Sequence, residues 1–498
     1  MQPSEFRWHA PDGSKVLAVC MSFWYNNTQR FSAGPEKALA LARLQKERFA
    51  GIAQTPYLLC MNGCDHLEAQ SDLLPVLRAV QEQLGPDEKI YQTTLEAYAA
   101  KVREALQGAA LPERNGELIT GLDVHVLKDT ASSRIYLKTK NAELQNRLER
   151  RLDPLYTLLE SSGMDGCYPK STLDYLWRML IRNHAHDSIC GCRKDAVHRH
   201  MEDRFAAIEE SVQALETRGL ALLNAHISRD GFADGDYLIT VVNTLQRPRT
   251  GCVDVRLDIH ASDTPRGVTI FDSDGKPVPY VRLAHRQVNR RVTSPLNLPG
   301  FVKTEQFDLR LPVKSVPACG YIAYRVRVDE PSQGQTLPEA LNEARTARSS
   351  RLAGCPVTLT LRLNAGEPFL RVGWQIENHV RDHRLRMLVR TGLDADVSTA
   401  LSPFDPVQHR RSELDVRLCN ESRHNSGMIT LSDGASGFSV LNSGAYSYEN
   451  LQAQPGTLAL TLLRATGRIW PEEGAAWPED EIVTLRLVPA KGERHEHP

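Results

Sequence analysis

The sequence predicts a multidomain α+β protein with a partial α/β domain, then a three-helix bundle, then antiparallel β-sandwich domains. Three observations predict it. Apolar strand-like runs alternate with helical ones up to Leu106, as in a parallel sheet. Between residues 137 and 226 apolar side chains recur at intervals of three and four, one face of a helix each time. From about Asp236 the period becomes two, which is the pattern of strands with one buried face.

Residues 6–21 read as a hairpin, with Pro11-Asp12-Gly13-Ser14 as the turn and Val16 to Met21 as a buried strand. A helix is expected at 35–49. The apolar run Tyr57-Leu58-Leu59-Cys60-Met61 reads as a strand, and a helix from Ser71 to Leu84 follows. Lys89-Ile90-Tyr91-Gln92 reads as another strand, before a helix from Leu95 to Leu106. This sheet is undersized, because parallel sheets need several strands and cover on both faces.

Asn141 to Leu159 carries Leu144, Leu148, Leu152 and Leu155 in helical spacing. Ser171-Thr172-Leu173-Asp174 offers a cap for the next helix. Val197, Met201, Phe205, Ile208, Val212 and Leu215 mark one face of a long helix, with His198 and His200 flanking it. Three such helices with short connections make a bundle. Beyond it, Val253, Val255, Leu257 and Ile259 alternate with polar residues, as do Val357, Leu359 and Leu361. Asp274-Gly275 and Asp433-Gly434 mark tight turns, and Glu330 to Ser350 reads as a linker or loop. The expected domains are 1–115, 116–230 and 231–498, the last divided by a loop near 330–355.

A chain of 498 residues accommodates roughly three domains at about 150 residues each. Its 60 Lys+Arg balance 61 Asp+Glu. That gives no electrostatic case for nucleic acid or an anionic membrane as the main partner. No apolar run approaches the roughly 18–20 residues that span a bilayer, and the first residues lack the basic and apolar regions of a signal peptide. The ten cysteines show no repeated spacing, so reduced thiols in a cytoplasmic protein are expected.

The densest chemistry lies in Asn183-His184-Ala185-His186-Asp187-Ser188-Ile189-Cys190-Gly191-Cys192. At a helix start both histidines can point into one pocket, with Asp187 and Ser188 as capping types. Spacing alone favours a capped junction with a hydrogen-bonded histidine. Cys190, Cys192, His198 and His200 match no standard structural zinc spacing. Asp65 follows the carboxyl end of an apolar strand, where functional side chains gather in open α/β sheets. A carboxyl with a raised pKa there serves as a general acid, but spacing alone favours a helix-capping Asp after an Asn-Gly turn.

The stretch 183–192, followed by Asp195-Ala196-Val197-His198-Arg199, resembles the signature of bacterial family 38 α-mannosidases, which include mannosylglycerate hydrolases. Further similar stretches occur in family order: Phe6 to Leu17, Asn62-Gly63-Cys64-Asp65-His66, Ser132 to Lys138, Asp382-His383-Arg384-Leu385-Arg386, and Thr461 to Gly467. The resemblance implies an α/β catalytic domain, a three-helix bundle and β-sandwich domains. It implies retaining hydrolysis of α-mannosides with zinc in the sugar site. Retention uses two carboxylates about 5–5.5 Å apart. By motif match Asp65 is the acid/base, His186 a zinc ligand, and Asp187 a hydrogen-bonding partner of the sugar. The zinc acts there as a template and Lewis acid.

The departures are specific. No His-x-Asp occurs anywhere in the chain, although the family carries its first zinc ligands in that motif. The motif with the nucleophilic Asp, expected before Phe6, is missing too. One zinc ligand of about four does not hold a catalytic metal tightly, and an acid without its nucleophile loses the covalent route. The chain therefore reads as N-terminally truncated: a fragment, a degraded copy, or a product of a split gene. The expected partners are an α-mannoside, a further copy of the chain, or a separately encoded N-terminal segment. The alternative is a non-catalytic remnant or carbohydrate-binding protein.

Overall fold

A computed structural model describes residues 3–498 except 30, 32–33, 66, 117, 119–127, 261–266, 295, 330–343, 353–354, 365–366, 381–382, 404, 412–421, 466–493 and 497–498; at 128–129, 329, 344–352 and 494–496 it describes the backbone alone. His66 and Asp382 of the sequence motifs lie outside the described residues, as does most of the expected linker.

The first region is built from β1 (Glu5–His9), β2 (Lys15–Val19), α1 (Pro35–Phe49), α2 (Leu73–Gln81), α3 (Leu95–Ala105) and β3 (Glu113–Asn115). The predicted hairpin is present: β1 pairs antiparallel with β2, Phe6 opposite Ala18 and Trp8 opposite Val16. Among the described residues of this region the parallel component is the short pairing of β1 with β3. Tyr57–Met61 and Lys89–Gln92 form no ladder, contrary to expectation. Their apolar runs lack a neighbouring strand. Met61 instead accepts from Thr28 N (3.0 Å), while Asn27 bridges Met61 N (2.7 Å) and Leu59 O (3.0 Å). The backbone is thus satisfied by a loop rather than a sheet.

The bundle follows: α4 (Ile135–Arg147), α5 (Asp153–Ser161), α6 (Lys170–Ile181), α7 (His186–Ile189) and α8 (Asp195–His226). A π turn over Leu148–Leu152 joins α4 to α5 without a break, so the predicted 141–159 helix is continuous but locally widened. Leu144, Leu148, Leu152 and Tyr156 from this helix meet Leu176 and Leu180 of α6 and Met201, Phe205 and Ile208 of α8 in one core. Tyr156 keeps its hydroxyl satisfied on Leu215 O at 2.9 Å. Two expected caps are corrected. The helix assigned to Ser171 starts one residue earlier behind Pro169 with no side-chain cap. Asp187 and Ser188 cap nothing: they lie inside α7, and α8 begins behind Lys194. The reason is Ala185, whose extended ψ of 127° separates α7 from the preceding 3₁₀ turn, so the helical start falls at His186.

The rest is antiparallel. β4 (Tyr237–Asn243), β5 (Arg249–His260), β6 (Gly267–Phe271), β7 (Pro277–Val278), β8 (Val281–Ser294), β9 (Asn297–Val316) and β10 (Gly320–Asp329) form two sheets, ordered β4-β10-β6-β7 and β5-β9-β8. Ile259, Ile270, Phe307, Leu309 and Val326 fill the space between them. A second group comprises β11 (Ala344–Leu352), β12 (Cys355–Leu363), β13 (Arg371–Glu377), β14 (His383–Arg390), β15 (Val397–Leu401), β16 (Pro406–Arg410), β17 (Arg423–His424), β18 (Met428–Ser432), β19 (Gly437–Leu441), β20 (Ser447–Asn450), β21 (Thr457–Ala465) and β22 (Arg494–Glu496). These make the sheets β14-β21-β20-β17, β16-β15-β18-β19 and β11-β12-β13-β22.

This last group seats the bundle. Ile135 at the start of α4 is buried with Cys355, Val357, Ile376 and Leu462. Arg464 Nε donates to Ser132 Oγ at 3.1 Å. Gly444 approaches α4 so closely that a Cβ there would lie 2.7 Å from Thr139 Cα. The first turns of α4 are therefore fixed from the β side, and the functional turn rests on that same helix.

Candidate functional site

The turn that carries His186 and Asp187 is a short structure held from beneath. The chain leaves α6, makes a 3₁₀ turn over Arg182–His184, and winds through α7. It reverses at Gly191, whose φ of 79° favours a residue without a Cβ. Cys190 N returns to His186 O at 2.9 Å and Gly191 N to Ser188 O at 3.0 Å. His186 projects outward with 89% of its side chain exposed, and its Nε2 lies 3.3 Å from Asp187 Oδ1. Arg193 NH2 holds the other oxygen of Asp187 at 3.0 Å. Cys192, buried, points its thiol at Asp187 O (3.5 Å) and Oδ1 (3.7 Å).

Two residues along one stripe of α4 and its cap, Arg134 and Asn141, support this turn, and Lys138 lies between them. Residues four and then three apart share a helix face. Arg134, itself left-handed at φ 44°, donates Nε to Gly191 O (3.2 Å) and pairs with Asp195 (2.6 Å). Lys138 is buried and donates to Ser133 O. Asn141 Oδ1 meets His184 Nε2 at 2.7 Å. Burial pushes the Lys138 amine down to about 7, against the pull of the nearby Cys190 and Cys192. Burial likewise drives His198 down to about 4, with Arg134 adding to it, and lowers His184. Further back, fully buried Asn183 accepts from Arg204 Nε at 2.6 Å.

Asp65 stands in a different setting. It is exposed, in the loop after Asn62, whose amide donates to Gln70 Oε1 at 3.0 Å. Tyr25 reaches the same place. Its hydroxyl is held above the ordinary phenol range by its hydrogen bond to Cys64 and by desolvation, with Asp65 contributing. Trp24 stacks on Tyr25 at 5.6 Å, which sets an aromatic pair beside the carboxylate.

His186 and Asp187 are thus adjacent, and Asp65 is joined to neither by a hydrogen bond or ion pair. Zinc at a catalytic site takes about three protein ligands plus an open position. Among the described residues no three His, Cys, Asp or Glu side chains converge on one point. His186 with Asp187 does not complete such a set, so the donors among the described residues do not by themselves fit a catalytic zinc. The Cys190, Cys192, His198 and His200 combination also forms no cluster. His198 is buried in the face of α8 rather than flanking it, while His200 is exposed. Sequence reasoning gave no role to Tyr25, Lys138, Asn141 or Arg193. No spacing signal marks Lys138 or Asn141, because α4 also carries Thr139, Lys140, Glu143, Gln145 and Asn146.

The chain thus presents a His-Asp turn on a helix bundle and continues into antiparallel β-sheet material. Two family models match in that order: the alpha mannosidase middle domain over residues 125–223 and the glycosyl hydrolases family 38 C-terminal domain over residues 320–472. The chain belongs to glycosyl hydrolase family 38. It is 37% identical over 211 residues to a protein of Halalkalibacterium halodurans named "Putative mannosylglycerate hydrolase". That match covers 41% of this chain and 22% of the relative. An alpha-mannosidase structure from Enterococcus faecalis V583 superposes with a TM-score of 0.79 at 22% identity, over 94% of this chain and 66% of that one. A family 38 protein from Enterococcus faecalis gives 0.73 at 20% identity, over 99% and 70%. The chain spans about a fifth of the curated relative's length and about two thirds of the first of these structures.

Proposed function

We propose that the chain is the part of a retaining α-mannoside hydrolase that supplies the acid/base and one wall of the zinc-sugar site. Asp65 is the acid/base in this reading. It gives a proton to the leaving glycosidic oxygen and later takes one from water. His186 is the imidazole donor to zinc, and Asp187 accepts hydrogen bonds from the sugar hydroxyls. The carrying observation is the His186–Asp187 turn: outward-facing, and braced by Arg134 and Arg193. Rigid support of this kind is what a binding constellation needs. The domain limits 1–115, 116–230 and 231–498, a cytoplasmic setting and self-association belong to the same proposal.

The test is zinc-dependent hydrolysis of an aryl α-mannoside by the chain mixed with a polypeptide carrying a His-x-Asp motif. Turnover is expected in the mixture and is lost with Asp65→Asn. A mixture in which both segments fold and associate, yet no turnover occurs, removes the reading. One observation favours a second reading, a carbohydrate-binding protein without catalysis: the stacked Trp24–Tyr25 pair next to Asp65. Aromatic faces are suited to the apolar face of a sugar ring. Binding of methyl α-mannoside by the chain alone, abolished by Trp24→Ala and unaffected by Asp65→Asn, would select it.

A further inference from the structure

The turn under the proposed sugar site ends in two thiols that the hydrolytic reading does not use. Cys190 is half-buried and Cys192 is buried. They flank Gly191, whose left-handed conformation folds the chain back on itself. A disulfide needs Cα atoms about 4.4–6.8 Å apart, and a left-handed residue between two cysteines folds their Cα atoms towards each other. Cys192 N returns to Asp187 O at 3.3 Å, which closes the turn that carries both thiols. Arg134 packs its methylenes against Gly191 and fixes the turn. The Cys192 thiol also faces the Asp187 carboxylate at 3.7 Å, so whatever consumes that thiol removes a neighbour of Asp187.

We propose that Cys190 and Cys192 form a reversible dithiol–disulfide pair that sets the state of the Asp187 carboxylate. The oxidant class is a small disulfide such as glutathione disulfide. The partly exposed Cys190 thiolate attacks one of its sulfurs, the oxidant's S–S bond breaks, and one glutathione thiolate leaves. Cys192, as thiolate, then attacks the Cys190 sulfur; the Cys190–glutathione bond breaks and the second glutathione leaves. The dithiol loses two electrons, and its two protons end on the two glutathione thiolates. Only Cys190 needs solvent access, which matches the exposures. Burial raises the Cys192 thiol to about 11, so ring closure is expected to quicken as pH rises and the thiolate fraction grows. In the disulfide, Cys192 no longer offers a hydrogen to Asp187. That last consequence rests on the proposed role of Asp187; the thiol chemistry does not.

Trypsin cuts after Arg182 and Arg193, so the peptide Asn183–Arg193 carries these two cysteines and no other. The full chain is equilibrated with glutathione redox buffers, alkylated with iodoacetamide, digested and weighed. The expected peptide is unalkylated and two hydrogens lighter, and it becomes doubly alkylated after dithiothreitol. Cys192→Ser is expected to stop at a glutathione adduct on Cys190. Ring closure is expected to speed up between about pH 7 and pH 9 as thiolate forms. A doubly alkylated peptide across the series, while exposed Cys60 and Cys319 take up glutathione, overturns the pair. Methyl α-mannoside titration of both forms tests the control: weaker binding when oxidised, unchanged in Cys192→Ser. A disulfide that forms without altering binding overturns the control. No sugar binding in either redox state counts against the proposed function and leaves the thiol pair standing.

Discussion

The turn of Asp187 and the loop of Asp65 both face solvent, yet their supports differ. Beneath Asp187 lies a single core in which Leu144, Leu148, Leu152, Tyr156 and Leu180 are completely buried. Beside Asp65 the apolar contacts divide into two small groups, one around Phe31, Val76 and Val80 and one around Tyr98 and Val102. Its only sheet among the described residues is β2-β1-β3. Local stability follows buried contacts. The two proposed halves of the chemistry therefore sit on platforms of unequal stiffness, and the acid/base is on the softer one.

The largest expected effect tests that inequality. Leu148→Ala removes a fully buried side chain from the bundle and is expected to cost about 2–5 kcal/mol. Val80→Ala, equally buried in the first region, is expected to cost about 1 kcal/mol and to raise exchange only within residues 31–90. Hydrogen exchange read by mass spectrometry separates the two. If Val80→Ala raises exchange throughout the bundle as well, the two platforms are one cooperative unit and the comparison fails.

Next comes Lys138. Its amine is lowered from 10.5 to about 7 by burial. Between those values the unfolded chain holds a proton that the folded chain does not, so stability rises with pH by at most about 1.4 kcal/mol per pH unit. The gain is lost as pH falls towards 7. Urea titrations from pH 7 to 10.5 are expected to show this rise in the native chain relative to Lys138→Met. Parallel curves would mean that water reaches the Lys138 amine. Gly444→Ala tests the seat of α4 with a smaller effect. Its φ of 92° disfavours any side chain, and the new Cβ meets Thr139 backbone. A loss of about 1–3 kcal/mol is expected; a neutral result would show that the β region and α4 yield to each other.

What could be read from the sequence follows the same division. The bundle was legible because Met201, Phe205, Ile208 and Val212 repeat the helical period, and all four are buried. The alternation through Leu257 and Ile259 was legible for the same reason. Tyr57–Met61 misled because an apolar run records burial, not a partner strand. At the site, His186, Asp187 and Asp65 were singled out by composition and motif. Their supports were not, because Arg134 and Asn141 lie about fifty residues upstream of the turn and act through its backbone and His184. Short-range spacing carries no information on contacts of that kind.

The smallest effect sharpens the comparison most. Each platform has a cross-element ion pair close to its functional turn or helix pair: Arg134 with Asp195 in the bundle, Lys46 with Glu88 in the first region. The Arg134 side chain is 7% exposed while Lys46 is 66% exposed. Geometry alone would rank the pairs together, but an exposed pair is screened and must order two long side chains. Arg134 is already fixed by Gly191 and by its own backbone, so its pairing orders little more. A double-mutant cycle on Arg134 and Asp195 is expected to give about 0.5–1 kcal/mol, largely retained at high salt. The cycle on Lys46 and Glu88 is expected to give a coupling that vanishes with added salt. Equal salt-sensitive couplings would place Arg134 in solvent and withdraw the preorganised support assigned to the His186–Asp187 turn.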